Sequence, residues 1–291
     1  MCAARSRVSA SLDERSLTAT DIEHFFDAVD GRLDGSPIAV MLDVDGTLAP
    51  IAPRPQDALV PARTREALRR LETLPGVTLA LVSGRSAQDA WDVAGVSGAW
   101  VIGNHGLELR APTGEVSTPV DVHAHESAIA AAADRLTSAT QDVPGAIVEN
   151  KRWTLSLHYR LAAPNEHASL IDRAREIADA LGLRVTEGKK LVELRPPVDV
   201  NKGTATVALA QRVGALRDGG SALYAGDDRT DEDAFDALRA RSREAVTIRI
   251  ATNDRDARPI ETHAEFVLAS PDELRRALEW MVARRTRAAT S

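Results

Sequence analysis

Apolar residues along this chain gather in short runs, and the runs end in polar residues. Such runs lie at 38–42, 77–82, 100–103 and, with one hydroxyl residue at its start, 221–226. A run of this length without a charged interruption is typical of a strand buried on both faces of a parallel sheet. Stretches with helical spacing of leucines separate the runs. The repeated order of strand, helix and strand predicts an α/β fold with a doubly wound parallel sheet.

The pattern changes in the middle of the chain. Residues 153–160 alternate strictly between apolar and polar side chains. Such alternation is typical of a strand with one packed face and one wet face. Amphipathic helical stretches lie on both sides of this strand. We therefore predict an inserted α+β cap domain at 112–197, and a core domain formed by 36–111 together with 198–291.

The segment before the first predicted strand has a different composition. Residues 1–35 are expected to form a partly disordered N-terminal extension, because the first residues are polar and rich in Ser, Arg and Ala. Thr20 and Glu23 have the spacing of a helix capping box, and apolar residues follow at helical spacing. A short helix that packs on the core domain is therefore predicted there.

Composition narrows the class of protein. Of the 291 residues, 44% are hydrophobic and 27% are charged, which is typical of a globular protein. The net charge of -7 argues against binding to nucleic acid or to an anionic membrane surface. Cys2 is the single cysteine, so no internal disulfide can form, and no apolar run approaches the roughly 18 residues of a membrane span. We expect a cytoplasmic monomer whose partner is a small molecule.

Two of the predicted strands end in pairs of acidic residues. Asp43 and Asp45 follow the first strand, and Asp227 and Asp228 follow the strand at 221–226. Parallel α/β sheets bind ligands at the carboxyl ends of their strands. Burying carboxylates there costs several kcal/mol unless a cation balances them. An oxygen-rich site of this kind suits a hard divalent cation, and Mg2+ is the first expectation.

These acidic motifs resemble those of a known superfamily. Asp-x-Asp-Gly-Thr at 43–47 and Gly-Asp-Asp-x-Thr-Asp-Glu at 226–232 are similar to motifs of the haloacid dehalogenase (HAD) superfamily of phosphotransferases. The resemblance implies a HAD-like, Rossmann-like core in which Asp43 is the nucleophile and Asp45 is the general acid and base. It also implies contacts with the transferring phosphoryl group for three further residues, Thr47, Ser83 and Lys202.

The same resemblance implies a Mg2+ site at the two strand ends. Asp43 and Asp227 are implied as direct ligands, and Asp45 as a ligand through its backbone carbonyl. Asp228 is implied as a ligand through water.

Three further stretches, at 104–108, 149–160 and 188–196, are similar to segments of the trehalose-6-phosphate phosphatase family. This resemblance implies a Mg-dependent phosphatase of trehalose biosynthesis that hydrolyses trehalose 6-phosphate to trehalose and phosphate through an aspartyl phosphate. A disaccharide offers many hydroxyls, so its recognition requires polar groups on a sheet face. The residues implied for sugar-phosphate binding are Arg85, Asn104, His105, Glu149, Lys151, Arg160, Lys189 and Glu193.

Two alternatives stay open from the sequence. One is another capped phosphatase of the same superfamily, acting on sucrose 6-phosphate or mannosyl-phosphoglycerate. The other is a non-catalytic regulator that binds a sugar phosphate on the same fold. A non-catalytic regulator is expected to lack some of the catalytic residues. In this sequence Asp43, Asp45, Lys202 and Asp227 are all present.

Overall fold

The structure, a computed structural model, describes residues 19–118, 121–251 and 261–290. The disorder predicted for the first residues, and Cys2, fall outside this described part of the chain. Within it, no helix is long and apolar enough to cross a membrane.

The described residues form twelve strands and eight α-helices. The strands, in chain order, are β1 (Ile38–Asp43), β2 (Val77–Val82), β3 (Trp100–Gly103), β4 (Glu108–Arg110), β5 (Val116–Ser117), β6 (Ile147–Asn150), β7 (Leu155–His158), β8 (Arg184–Gly188), β9 (Leu191–Arg195), β10 (Ser221–Gly226), β11 (Val246–Ile250) and β12 (Phe266–Leu268). The helices are α1 (Ile22–Val29), α2 (Ala62–Glu72), α3 (Ala87–Ala94), α4 (Glu126–Thr140), α5 (His167–Ala180), α6 (Lys202–Arg212), α7 (Arg229–Arg241) and α8 (Pro271–Thr290).

β1 lies inside the larger, eight-stranded sheet, whose order is β12-β11-β10-β1-β2-β3-β4-β5. The first six strands of this order run parallel, and β4 and β5 are antiparallel additions at one edge. β1 pairs directly with β10, with Leu42 opposite Ala225. Because parallel neighbours end at the same edge of a sheet, the acids after these two strands meet there. The predicted α/β fold with a mainly parallel sheet is confirmed.

Helices cover both faces of this sheet, as the unbroken apolar runs predict. Val40 and Leu42 pack into the core that includes residues of α1, α2, α3 and α8, whereas Met41 packs into the core that includes residues of α6 and α7. All three side chains are fully buried. Burying an apolar side chain of this size contributes about 1.5–3 kcal/mol, so packing from both sides stabilises β1.

The smaller sheet has the antiparallel order β6-β7-β9-β8. Its apolar face, which includes Leu157 and Val192, packs with residues of α4 and α5. The opposite, polar face differs from the prediction that it is wet, because Thr154 and Ser156 are fully buried. This face is turned toward the core domain, and the Thr154 hydroxyl donates a hydrogen bond to Asn104 there.

The chain leaves the larger sheet later than predicted. β5 pairs with β4, with Leu109 opposite Ser117, and so forms an edge strand of the larger sheet. Its residues fall within the range 112–197 that the sequence assigns to the cap. A short antiparallel hairpin therefore extends the core sheet before the chain crosses into the cap.

α1 lies in the predicted N-terminal extension and packs on the core domain as expected. Phe25 is fully buried, and its ring lies edge-on against a phenylalanine ring of β12, with 5.1 Å between the centroids. The predicted capping box of Thr20 and Glu23 is wrong, because the Asp21 side chain accepts the hydrogen bonds at the helix N-terminus. Thr20 instead pairs with Val267 next to the sheet.

Candidate active site

Carboxylates from two strand ends and one helix meet at the edge of the larger sheet. Asp43 ends β1, Asp227 follows β10, and Asp231 lies in the first turn of α7. One oxygen of each side chain lies within 4.8 Å of the others, and all three residues are buried. The strand ends predicted from the sequence are thus neighbours, and Asp231 is an addition to the predicted set.

Asp231 links the parts of this cluster. Its Oδ2 accepts the backbone N–H groups of Asp227 at 2.9 Å and Asp228 at 3.0 Å, and its Oδ1 accepts the Tyr224 hydroxyl at 2.7 Å. Asp231 lies in the motif at 226–232, but no role for it was predicted from the sequence. Its spacing from Asp228 could have indicated such a role from the sequence. With Asp228 as the helix N-cap, the residue three positions later turns its carboxylate back toward the strand end.

Lys202 supplies positive charge to the cluster. Its Nζ donates to Asp43 Oδ1 at 2.7 Å and to Asp231 Oδ1 at 2.8 Å. Lys202 begins α6, and the side chain of Asn201 caps this helix. Gly203 allows close packing on α7, because a Cβ at this position would lie 2.2 Å from a backbone carbonyl oxygen of that helix. Helix capping and close packing therefore direct Lys202 toward the strand ends.

The turn after β1 brings the two acidic motifs into contact. Gly46 has a φ of +91°, in the left-handed region that favours glycine. A Cβ there would lie 2.2 Å from Asp227 Oδ2. The fully buried Thr47 donates from Oγ1 to Asp227 Oδ1 at 3.5 Å. The contact of Thr47 with a phosphoryl group stays a prediction.

Asp45 and Arg85 form a bidentate ion pair. Nε of Arg85 donates to Oδ2 of Asp45 at 2.6 Å, and Nη2 donates to Oδ1 at 2.8 Å. Both residues belong to the predicted site, but Arg85 was expected to contact the sugar phosphate, and its contact with Asp45 was not predicted. Ser83 is buried nearby, and its hydroxyl accepts the backbone N–H of Arg85 at 3.2 Å.

Burial and neighbouring charges shift the acidity of the cluster. Burial raises the pKa of Asp43 well above its usual range, against the attraction of Lys202. Burial also raises the pKa of Asp227 to about 7, although Lys189 opposes this shift. At Asp228 burial acts in the same direction, but Lys202 and the hydrogen bonds at the start of α7 hold the pKa below its usual value.

The cluster contains more negative than positive charge. Among the described residues, Lys202 and Lys189 of the cap contact the cluster through their ammonium groups, and Nζ of Lys189 lies 2.5 Å from Asp227 Oδ2. They face four carboxylates, those of Asp43, Asp227, Asp228 and Asp231. A divalent cation would balance this surplus and lower the raised pKa values. The hard oxygen donors of the cluster therefore fit Mg2+.

Glu193 forms a polar link between cap and core. Its Oε1 accepts from Lys151 Nζ at 2.7 Å, and its Oε2 lies 2.9 Å from Nε2 of His105. Lys151 also donates to the backbone carbonyl of Gly84 in the core at 2.8 Å. Burial tends to raise the pKa of Glu193, but the charges of His105 and Lys151 hold it well below its usual range.

Asn104 and His105 have left-handed backbone conformations, with φ of +48° and +54°. Such conformations cost about 1–3 kcal/mol for residues other than glycine, and they cluster at functional sites. Asn104 is fully buried; its Nδ2 donates to the carbonyl of Lys151 at 3.3 Å, and its Oδ1 accepts from Thr154 at 2.8 Å. In this structure Asn104 joins core and cap, and its predicted contact with the sugar phosphate stays a prediction.

A cavity of about 540 Å³ lies between core and cap, a volume common for small-molecule sites. His158, which the predicted set lacks, lines this cavity, and its Nε2 lies 2.7 Å from Glu149 Oε2. The alternation of 153–160 was the available signal, because it places His158 on the polar face. Thr47 and Asn104 do not line the cavity, whereas the other predicted site residues do: Asp43, Asp45, Ser83, Arg85, His105, Glu149, Lys151, Arg160, Lys189, Glu193, Lys202, Asp227 and Asp228.

Comparison with known sequences relates this chain to trehalose phosphatases. The family described as "Trehalose-phosphatase" matches residues 41–271. A trehalose-phosphate phosphatase of Mycobacterium avium is 39% identical over 242 residues, which is 82% of this chain and 60% of that protein. An uncharacterized glycosyl hydrolase of Mycobacterium tuberculosis is 40% identical over 225 residues, which is 76% of this chain and 17% of that protein. The chain thus spans less than two thirds of the length of these two relatives.

Solved structures share the fold. A trehalose-6-phosphate phosphatase related protein is 26% identical with a TM-score of 0.73, covering 86% of this chain and 99% of that one. A haloacid dehalogenase-like hydrolase from Bacteroides thetaiotaomicron is 15% identical with a TM-score of 0.57, covering 84% of this chain and 98% of that one. At this low identity the similarity shows the fold alone. Because the family match runs from β1 to the start of α8, this protein belongs to the trehalose-phosphatase family.

Proposed function

We propose that the protein is a Mg2+-dependent phosphatase that hydrolyses trehalose 6-phosphate to trehalose and phosphate. The observation that carries this proposal is the buried cluster of Asp43, Asp227, Asp231 and Lys202 beside a polar cavity under the cap. A phosphate monoester repels nucleophiles until positive groups balance its oxygens. Family membership supports the choice of a sugar phosphate as substrate.

In the first step, the Asp43 carboxylate attacks phosphorus, and the bond between phosphorus and the sugar oxygen breaks. The electron pair of that bond goes to the sugar oxygen, which takes a proton from the Asp45 carboxyl. Lys202 balances charge on the attacking side, since its Nζ lies 2.7 Å from Asp43. Thr47 and Ser83 are proposed to donate hydrogen bonds to the phosphoryl oxygens. Trehalose leaves, and an aspartyl phosphate forms on Asp43.

In the second step, water attacks the phosphorus of the aspartyl phosphate and gives its proton to the Asp45 carboxylate. The bond from phosphorus to the Asp43 oxygen breaks, its electron pair restores the carboxylate, and phosphate leaves. Asp43, Asp227 and the Asp45 carbonyl, with Asp228 through water, are the groups proposed to hold Mg2+. When bound, Mg2+ supplies positive charge that neutralises the phosphoryl oxygens.

The cap is proposed to recognise the sugar. Glu149, Lys151, Glu193 and Arg160 line the cavity with carboxylate, ammonium and guanidinium groups. These groups pair with sugar hydroxyls, and a site built for hydroxyls discriminates against ligands that lack them. Cytoplasmic location and a monomeric state stay predictions from the sequence.

A panel of sugar phosphates tests the proposed function. Phosphate release by the purified protein is measured, with and without Mg2+, from trehalose 6-phosphate, sucrose 6-phosphate, mannosyl-phosphoglycerate and glucose 6-phosphate. We expect kcat/KM for trehalose 6-phosphate to exceed the others by about tenfold or more, and release to require Mg2+. Equal turnover of trehalose 6-phosphate and glucose 6-phosphate would overturn the substrate. Release that is unaffected by chelation would overturn the metal dependence.

A further inference from the structure

We propose that Arg85 is a positioning residue for Asp45 rather than a residue that binds the substrate. The inference rests on the proposed function, because it concerns the group that transfers protons in that reaction. Its basis is the bidentate contact, in which both oxygens of Asp45 accept from the same guanidinium. We call this pair of parallel hydrogen bonds from Nε and Nη2 the fork. It fixes the plane of the carboxyl group as well as its position, which a single hydrogen bond does not.

The hydrogen bonds of Arg85 leave little of its guanidinium for a ligand. Beyond the two donated to Asp45, Nη1 donates to Asp89 Oδ2 at 2.6 Å and Nη2 donates to the carbonyl of Pro55 at 2.8 Å. These contacts use four of the five N–H groups that an arginine carries. The side chain is 8% exposed. Arg85 lines the cavity, but only one of its five N–H groups remains to donate to a ligand there.

The other partners of Arg85 belong to ordered elements that hold it in place. Asp89 lies in the first turn of α3, and its backbone N–H is accepted by the N-cap Ser86. The Ser83 hydroxyl accepts the backbone N–H of Arg85 itself. The guanidinium therefore connects the turn after β1, where Asp45 lies, with the start of α3. This connection transmits the rigidity of α3 to a side chain that is itself 37% exposed.

Orientation of Asp45 matters in both steps of the proposed reaction. As the acid, Asp45 must present its proton to the sugar oxygen, and as the base it must face the attacking water. The carboxylate that acts as the base keeps both hydrogen bonds from Arg85. The protonated carboxyl that acts as the acid keeps one of them on its unprotonated oxygen, while the other oxygen donates its proton. Misplacing a proton-transfer group by about 1 Å can reduce the rate by about a hundredfold. Loss of the fork is therefore expected to lower kcat rather than to raise KM.

The test compares Arg85→Lys with the wild-type protein and with Arg69→Lys. Arg69 lies on the exposed surface of α2 and provides the matched control. Lysine keeps the charge but removes the fork. The substrates are the alkyl phosphates of the panel above and p-nitrophenyl phosphate, whose leaving group departs without a proton. Steady-state kinetics give kcat and KM, and single-turnover mixing gives the rate of the first nitrophenolate release.

For Arg85→Lys we expect kcat on the best alkyl phosphate to fall by about 10- to 100-fold, with KM within about threefold. The first nitrophenolate release should stay within about threefold of wild type, because that step needs no general acid. A raised KM with unchanged kcat would show that Arg85 binds substrate. An equal loss on both classes of substrate would show general damage to the site. Either result overturns the proposal.

Asp89→Asn keeps the test decisive if Arg85→Lys does not fold. This variant leaves Arg85 and Asp45 in place but removes a charge partner of Arg85 from a position that is 42% exposed. We expect kcat on the alkyl phosphate to fall by about two- to fivefold, again with single-turnover nitrophenolate release unchanged. A kcat equal to that of wild type would overturn the proposal. The identity of the best alkyl phosphate reports on the proposed function, whereas the ratio of variant to wild type reports on Arg85.

Discussion

Asp43 is the residue on which the proposed chemistry depends most directly. Its carboxylate ends β1, contacts Lys202 and lies in the group of buried acids with Asp227 and Asp231. Asp43→Asn should lower Mg2+-dependent phosphate release by at least about a thousandfold, because an amide cannot form the aspartyl phosphate. Release is measured under saturating trehalose 6-phosphate.

A thermal melt provides the control for Asp43→Asn. Burial raises the pKa of Asp43, so the folded cluster disfavours its charge. The neutral amide should therefore leave the melting temperature unchanged or higher. Undiminished phosphate release from a folded Asp43→Asn variant contradicts the nucleophile assignment.

Lys189 reaches from the cap to a proposed metal ligand. Its ammonium lies 2.5 Å from Asp227 Oδ2, where it would compete with the proposed cation for the same oxygen. Lys189→Met should therefore tighten Mg2+ binding, measured by calorimetry without substrate, by about threefold to tenfold, or about 0.7–1.4 kcal/mol. Arg175→Met, on the exposed surface of α5, is the matched control for the general loss of one positive charge on the cap. Unchanged or weaker Mg2+ binding by Lys189→Met relative to this control would show that the contact does not compete.

At the scale of elements, helix N-termini place the reacting groups. α6 begins directly after its cap, Asn201, and its first residue is Lys202. Asn201→Ala should lower the free energy of unfolding by about 1 kcal/mol, and it should also lower kcat because the first turn of α6 frays. Urea unfolding and steady-state kinetics measure the two effects.

Asp21→Ala on α1 is the comparison for this cap. The Asp21 side chain accepts two backbone N–H groups of α1, so its removal should cost a similar free energy of unfolding. α1 lies outside the cavity, and kcat should not change. If kcat fell equally in the two variants, the loss of kcat in Asn201→Ala would result from lower stability alone and not from a change in the position of Lys202.

At the scale of the whole molecule, Glu193 couples the cap to the core through Lys151 and His105. The folded-state pKa of Glu193 is held well below the ordinary value of 4.5. Its stabilisation is therefore complete above about pH 4.5 and is lost as the pH falls through the lowered folded-state value. Glu193→Gln should cost about 3–5 kcal/mol near neutral pH, because the buried ammonium of Lys151 loses its charged partner.

This prediction is tested by measuring how the loss of unfolding free energy in Glu193→Gln depends on pH. Urea unfolding of wild type and Glu193→Gln at about pH 7, 5 and 3.5 should give a difference that narrows only at the lowest value. Glu187→Gln, in an exposed ion pair with Arg175, is the control and should change stability by less than about 1 kcal/mol. A difference for Glu193→Gln that stays constant down to about pH 3.5 would contradict the role of its charge.

Much of this architecture could be predicted from the sequence because local pattern and chemistry agree. The apolar run of β1 is buried on both faces, as an uninterrupted run requires. The acids after β1 and β10 could be predicted to meet, because parallel strands end at a common edge. The alternation of 153–160 identified the two faces of the cap sheet. The burial and alternation of each strand depend on residues that are close in the chain, whereas the meeting of the acids also depends on β1 and β10 being neighbours in the sheet.

Only the tertiary structure decided which partner each polar group takes. Asp45 pairs with Arg85 across 40 positions of sequence, and Lys189 contacts Asp227 across 38. On the polar face of the cap sheet, Thr154 and Ser156 are buried where the core domain covers them, whereas His158 lines the cavity. Patterns of apolar and polar residues determine which side chains form the apolar face of each element, since that face follows from the periodicity of the element. They do not determine which distant group satisfies a buried charge, because that depends on how the elements meet in space.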